Sequence, residues 1–140
     1  MDSNANDYEI DELSKTFVKL FDRQSRQFIV PSGITTVGDG AFERCQSLER
    51  LIIPDSMTNI GKSTIKNCFQ LKSIELSTSV TNIGDEAFYE CSSFESVVIP
   101  TGVKSIGENA FFRCYSLKSL EIPASLKNIE KDVFKDFRSP

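Results

Sequence analysis

Residues 77–99 read STSVTNIGDEAFYECSSFESVVI, and residues 100–122 read PTGVKSIGENAFFRCYSLKSLEI. Laid one over the other, they agree at the valine, the Ile-Gly pair, the Ala-Phe pair, the cysteine and the closing isoleucine. The register extends outward in both directions. Pro31, Pro54, Pro100 and Pro123 keep the same frame, with Ser77 at the one gap. Gly38, Gly61, Gly84 and Gly107 follow it, as do Cys45, Cys68, Cys91 and Cys114. A fixed period of 23 residues implies a solenoid, in which each coil buries its apolar face against the next.

Counting each repeat from the proline gives full copies at 31–53, 54–76, 77–99 and 100–122, and a partial fifth at 123–140. Their last segments, Leu51-x-Ile53, Ile74-x-Leu76, Val97-x-Ile99 and Leu120-x-Ile122, alternate with period two. Each is expected to be a short strand, and Phe28-x-Val30 begins the series. Proline ends the strand because it lacks a donor and fixes φ. The glycine that follows marks either a positive φ or a close backbone approach. Asp39 and Asp85 are expected to cap a short helical turn holding Ala41-Phe42 and Ala87-Phe88.

The run Leu48-x-x-Leu51-x-Ile53-Pro54, with Ile-Gly-x-x-Ala-Phe-x-x-Cys in the same frame, resembles the BspA-type leucine-rich repeat over about residues 28–137. The resemblance implies a curved right-handed solenoid of about five coils, α/β in class, with a short parallel sheet on its concave side. It also implies protein binding and surface adhesion. Thr64-Ile65 in place of Ala-Phe, and Ser77 in place of proline, depart from the pattern without breaking register.

Composition narrows the function. The chain has 140 residues, a net charge of −4 and no histidine. The missing histidine removes the commonest general base, the Cys–His and Ser–His nucleophile pairs and most zinc sites. No basic stripe points to nucleic acid. No apolar run approaches the roughly 18 residues of a membrane span. The acidic start MDSNANDYEIDE is unlike a secretory signal, which favours a cytoplasmic chain unless it is a fragment of an exported one. No phosphate loop, nucleophile motif or paired-acid site stands out, and no cofactor is implied.

Both ends of a solenoid need a lid. Residues 1–27 are read as an N-terminal segment, ahead of a solenoid over 28–140. Ile10, Leu13, Phe17, Leu20 and Phe21 share one helical face, so an amphipathic helix over about residues 8–23 is expected to cap the first coil. A partner-binding helix is the functional alternative. At the other end Glu130 replaces the glycine, Phe137 replaces the cysteine, and Lys131, Asp132, Lys135, Asp136 and Arg138 charge the outer side.

The cysteines stand too far apart in sequence for an ordinary zinc site and are expected to form a ladder of small buried hydrophobes. Two surfaces are candidate contact sites. On the concave side stand Ile29, Arg50, Ile52, Glu75, Val98 and Glu121. Beside them Arg26, Glu49, Lys72, Glu95 and Lys118 alternate in sign, which reads as a ladder of neighbouring opposite charges. On the convex side Phe69, Tyr89, Phe112 and Tyr115 interrupt mostly polar columns. They either form an interface or cover the coil edges. The expected function is a non-catalytic protein-binding module, adhesin-like by resemblance, with an intracellular scaffold or adaptor as the alternative. A monomer, or a weak oligomer formed through the solenoid ends, is expected.

Overall fold

A computed structural model describes residues 7–22, 24–126 and 133. The remaining residues, among them Glu130, Lys131, Asp132, Lys135, Asp136, Phe137 and Arg138 of the fifth coil, lie outside the described set. The elements are β1 (Tyr8–Asp11), β2 (Thr16–Leu20), β3 (Gln27–Ile29), β4 (Thr36–Val37), β5 (Arg50–Ile52) and β6 (Asn59–Ile60). They continue as β7 (Ser73–Glu75), β8 (Asn82–Ile83), β9 (Ser96–Val98), β10 (Ser105–Ile106) and β11 (Ser119–Glu121). The described residues contain no helix, so the α/β class gives way to an all-β solenoid.

Each coil from β3 to β10 contributes a three-residue strand to one side and a two-residue strand to another. The short strands stack in parallel as β2-β4-β6-β8-β10, with β1 antiparallel at the edge. Successive partners such as Asn59 and Asn82, or Ile60 and Ile83, are one repeat apart. The longer strands form two parallel groups, β3-β5-β7 and β9-β11. Between β7 and β9 the ladder lapses, in the coil whose corner holds Ser77 rather than proline. Ser77 is buried there and its hydroxyl donates to the Met57 carbonyl at 3.2 Å.

The core is the set of columns that the repeat presents inward. Phe17, Phe42, Phe88 and Phe111 are fully buried and stack in pairs. Phe17 lies on Phe42 with centroids 5.0 Å apart, and Phe88 on Phe111 at 5.1 Å. Ile65 fills the gap between the pairs. Beside it Thr64 is buried where its neighbours carry alanine, and its hydroxyl is satisfied by the Gly61 carbonyl at 2.6 Å.

The turn side is not helical, and the reason lies in where its N–H groups go. Ala41, Glu43 and Cys45 donate to carbonyls three residues back within the coil. Gly40, Phe42 and Arg44 donate instead to Lys62, Thr64 and Lys66 of the next coil, at 2.8–2.9 Å. A helix would spend all of these donors internally and leave the coils unjoined. Residues with positive φ, including Arg44, Ser63, Asn67, Glu86 and Glu90, swing alternate amides outward. Asp39 and Asp85 correspondingly do not cap their own turns. Their Oδ1 atoms accept from the N–H of Lys62 and Glu108, one coil on, at 3.0 and 2.8 Å. Close approach, not positive φ, explains the repeated glycine. A Cβ on Gly61 would stand 2.6 Å from the Val37 carbonyl oxygen.

The expected N-terminal helix is a β-hairpin. Of its five supposed inward residues, Leu13 is 98% and Phe21 50% exposed. A helix could bury apolar surface but could not pair the open edge of β4. Strand β2 does both. Phe17 and Leu20 are buried, while the Lys15 and Phe17 carbonyls accept from Thr35 and Gly38 at 2.9 and 2.8 Å. The hairpin turns at Leu13, whose N–H donates to Asp11 Oδ1, with Lys15 at φ 57°. Tyr8, Phe17, Phe28 and Phe42 then close the end of the core, with centroids 5.0–5.9 Å apart. Phe17 pairs with Val37, 20 residues on rather than 23, and that shortening hides the coil from a fixed-period count.

Candidate functional site: the strand face and the turn side

The residues singled out on the strand side stand in register. Ile29 pairs with Ile52, Ile52 with Glu75, and Val98 with Glu121. Alternation puts Leu51, Ile74 and Val97 into the core and turns their neighbours outward. Ile29 and Val98 are each 58% exposed. Ile52 is half-buried, while Glu75 and Glu121 are exposed. Arg50 reaches diagonally to Glu75, with Nη2 and Oε2 3.7 Å apart. Both side chains are open to water, so this pair contributes under about 1 kcal/mol. Where the ladder lapses between β7 and β9, a hollow of about 430 Å³ opens, lined by Ser73, Glu75, Ser96 and Val98 among others.

Arg26, Glu49, Lys72, Glu95 and Lys118 stack through their backbones. Each N–H in the series donates to the preceding member's carbonyl, at 2.7–3.1 Å. Their side chains form no ion pairs with one another. The rungs read from the sequence stand in register through the main chain, but the opposite charges do not pair as expected and project outward.

On the turn side the four aromatic residues separate into two kinds. Tyr89 and Phe112 stack with centroids 4.9 Å apart. Lys66 Nζ sits 4.8 Å from the centre of the tyrosine ring and is 3.0 Å from Glu86. Arg113 lies over Phe112 and pairs with Glu90 at 3.2 Å. Tyr115 and Phe69 remain 48% and 38% exposed. Replacing both Tyr89 and Phe112 by serine is expected to lower stability by about 2 kcal/mol, since the stack and the cation contact are lost together with half-buried ring area. Urea unfolding measures it, and an unchanged midpoint would show that these rings are not structural.

The cysteines form a buried row. The thiols of Cys68, Cys91 and Cys114 donate to the carbonyls of Phe42, Ile65 and Phe88 at 2.9–3.1 Å, each 26 residues back. Burial pushes the Cys114 thiol up to about 12. Cys91 is raised well above its ordinary value, first by burial and then by its neighbours Cys68 and Cys114. A pKa raised in the folded state means stability is complete below the unfolded thiol's range, near 9, and falls as pH climbs from there toward 12. The slope of stability against pH above 9 should therefore be shallower in Cys91→Ala and Cys114→Ala than in the parent. Equal slopes would contradict neutral buried thiols.

The sequence reading passed over one polar feature. Asn82 donates to Asn59 Oδ1 at 2.8 Å, and Ser105 donates to Asn82 Oδ1. Thr58 and Thr81 hydroxyls likewise donate to the carbonyls of Thr35 and Thr58, one coil back. Reading those two columns of the repeat down the page would have shown the ladder. Among the described residues no group of three or more His, Cys, Asp or Glu side chains could hold a metal ion. No described helix is long and apolar enough to cross a membrane.

A family model of the BspA-type leucine-rich repeat region matches residues 15–139 in six copies. This chain belongs to the BspA-type leucine-rich repeat family. The match begins at Lys15, at the start of the shortened coil that β2 builds. Three solved structures illustrate the kinship. A leucine-rich repeat protein of T. pallidum superposes with a TM-score of 0.86 at 26% identity, over 97% of this chain and 66% of that one. A leucine-rich cell surface protein of Faecalibacterium prausnitzii gives 0.84 at 30% identity, over 92% and 35%. A leucine-rich repeat protein of Bacteroides ovatus gives 0.71 at 41% identity, over 75% and 27%. The chain thus spans less than two thirds of each of these relatives. No curated protein sequence matches it.

Proposed function

We propose that this BspA-type repeat is a non-catalytic protein-binding module that meets its partner with the strand face, in an adhesin-like role at a cell surface. One observation carries the choice of face. Ile29 and Ile52 on the β3-β5-β7 group and Val98 on the β9-β11 group hold apolar side chains outward, interspersed with Arg50, Glu75 and Glu121. Exposed apolar residues grouped on rigid strands, with charges around them, are the composition of a contact surface. The turn side is a weaker candidate, because Tyr89 and Phe112 already have each other as partners. Support for the surface location comes from the similar F. prausnitzii protein, which is described as a cell surface protein. The thiols do not argue against an oxidising location, since all four are buried and out of reach.

The test is retention of native partners on immobilised protein. Ser96→Arg and Val98→Glu fill the hollow between β7 and β9 without touching the core. Both are expected to abolish retention while the unfolding midpoint stays put. Undiminished retention by both variants would move the contact surface elsewhere.

A further inference from the structure

The outward charge stripe says something about the partner that the apolar patch does not. Arg26, Glu49, Lys72, Glu95 and Lys118 run along the solenoid axis with strictly alternating sign. Four are exposed and Glu49 is half-buried. Their main-chain hydrogen bonds continue across the lapse between β7 and β9, through Glu95 N–H to the Lys72 carbonyl at 3.1 Å, so the stripe is unbroken where the sheet is not. The side chains do not consume one another in ion pairs. A partner of uniform charge meets repulsion at two or three of the five rungs, and only an alternating one is attracted at all of them.

Spacing then selects the partner's conformation. Stacked coils repeat every 4.7–4.9 Å or so, the separation of neighbouring strands. An α-helix lying along the axis offers one side chain per turn of about 5.4 Å. Over the four steps of the stripe the mismatch accumulates to about 2–3 Å, which long Lys, Arg and Glu side chains absorb. An extended strand shows same-face residues about 6.7 Å apart, and its mismatch reaches about 7–8 Å. A helix fits the rungs and a strand does not.

Resting on the strand-face reading above, we propose that the partner segment is an α-helix whose contacting edge alternates acid and base once per turn. Its Asp or Glu side chains face Arg26, Lys72 and Lys118. Its Lys or Arg side chains face Glu49 and Glu95. Its adjoining apolar residues lie toward Val98 and Ile52.

Two synthetic helical peptides of identical composition test this by fluorescence polarisation at low salt. In one, acid and base alternate once per turn along one face. In the other, the acids occupy one half of that face and the bases the other half. The alternating isomer should bind about tenfold more tightly, a few exposed pairs at a few tenths of a kcal/mol each, and lose that margin as salt rises. The double variant Lys72→Glu with Glu95→Lys, both exposed and off the core, should erase the preference while keeping the parent's unfolding midpoint. Ser96→Arg should weaken both peptides. Equal affinities, binding of neither isomer, or a preference that survives the double variant would overturn the helix proposal. Those results would leave the strand face itself to be judged by partner retention in Ser96→Arg, so the two failures are distinguishable.

Discussion

Phe88→Ala is expected to lower the free energy of unfolding by about 3–5 kcal/mol. Phe88 is fully buried, stacked on Phe111 at 5.1 Å and on Phe94 at 5.2 Å, with planes within 12°. Its carbonyl also takes the Cys114 thiol, and its N–H donates to the Ala110 carbonyl in the next coil at 2.8 Å. Truncation leaves a cavity beside the rings of Phe94 and Phe111, and the hydrogen bonds between coils limit how far the walls can close on it. In a solenoid each coil is stabilised by its neighbours alone. The loss is therefore also expected to broaden the urea transition, as the two halves of the stack uncouple. Phe88→Ile supplies the comparison, because Ile65 occupies the same column one coil earlier. It should cost markedly less than alanine. An alanine variant within about 1 kcal/mol of the parent would show that the ring stack is not what joins the coils.

Gly84→Ala is expected to cost about 3 kcal/mol or more, for a different reason. A Cβ there would stand 2.7 Å from the Gly61 carbonyl carbon and 2.9 Å from its oxygen and from the Lys62 nitrogen. All three are main-chain atoms of the preceding coil, so no rotamer change relieves the overlap. The coils must part, which weakens the hydrogen bond from Gly84 N–H to the Ile60 carbonyl, now 2.8 Å. Gly102→Ala is the control. Its nearest atom outside the adjoining residues would be 3.6 Å away, and alanine there should leave stability unchanged or raise it by a few tenths of a kcal/mol. Denaturant midpoints of the two variants decide the matter. Similar values would mean that the coils give way to a methyl group at Gly84, so that close approach is not what requires the repeated glycine.

Much of the candidate surface was legible before any coordinates. Period-two alternation in Leu51-x-Ile53 and Val97-x-Ile99 put Ile52 and Val98 outside, where the structure has them. The cysteine column needed only its spacing and its apolar neighbours to read as core. The aromatic residues Tyr89 and Phe112 fit two roles in the sequence, because neither ring stacking nor the position of Lys66 can be read from a linear pattern. The N-terminal lid is present, and only its helical form is misread from the sequence, for a sharper reason. Ile10, Leu13, Phe17 and Leu20 satisfy helical spacing, yet Tyr8-x-Ile10 alternates as well, and the period cannot arbitrate in so short a segment.

What the residues alone determined is the coil and its inward columns. Burial in a stack acts equally on every repeat, so it imprints the same apolar letters at the same offsets. What only the folded molecule decided is the path of the main-chain hydrogen bonds. Those bonds made the turn side a stack of linked turns, replaced a helix by the β1–β2 hairpin and parted β7 from β9. Peptide N–H and carbonyl groups are identical in every residue but proline, and their partners are chosen by the neighbouring coil, which no side-chain pattern spells out.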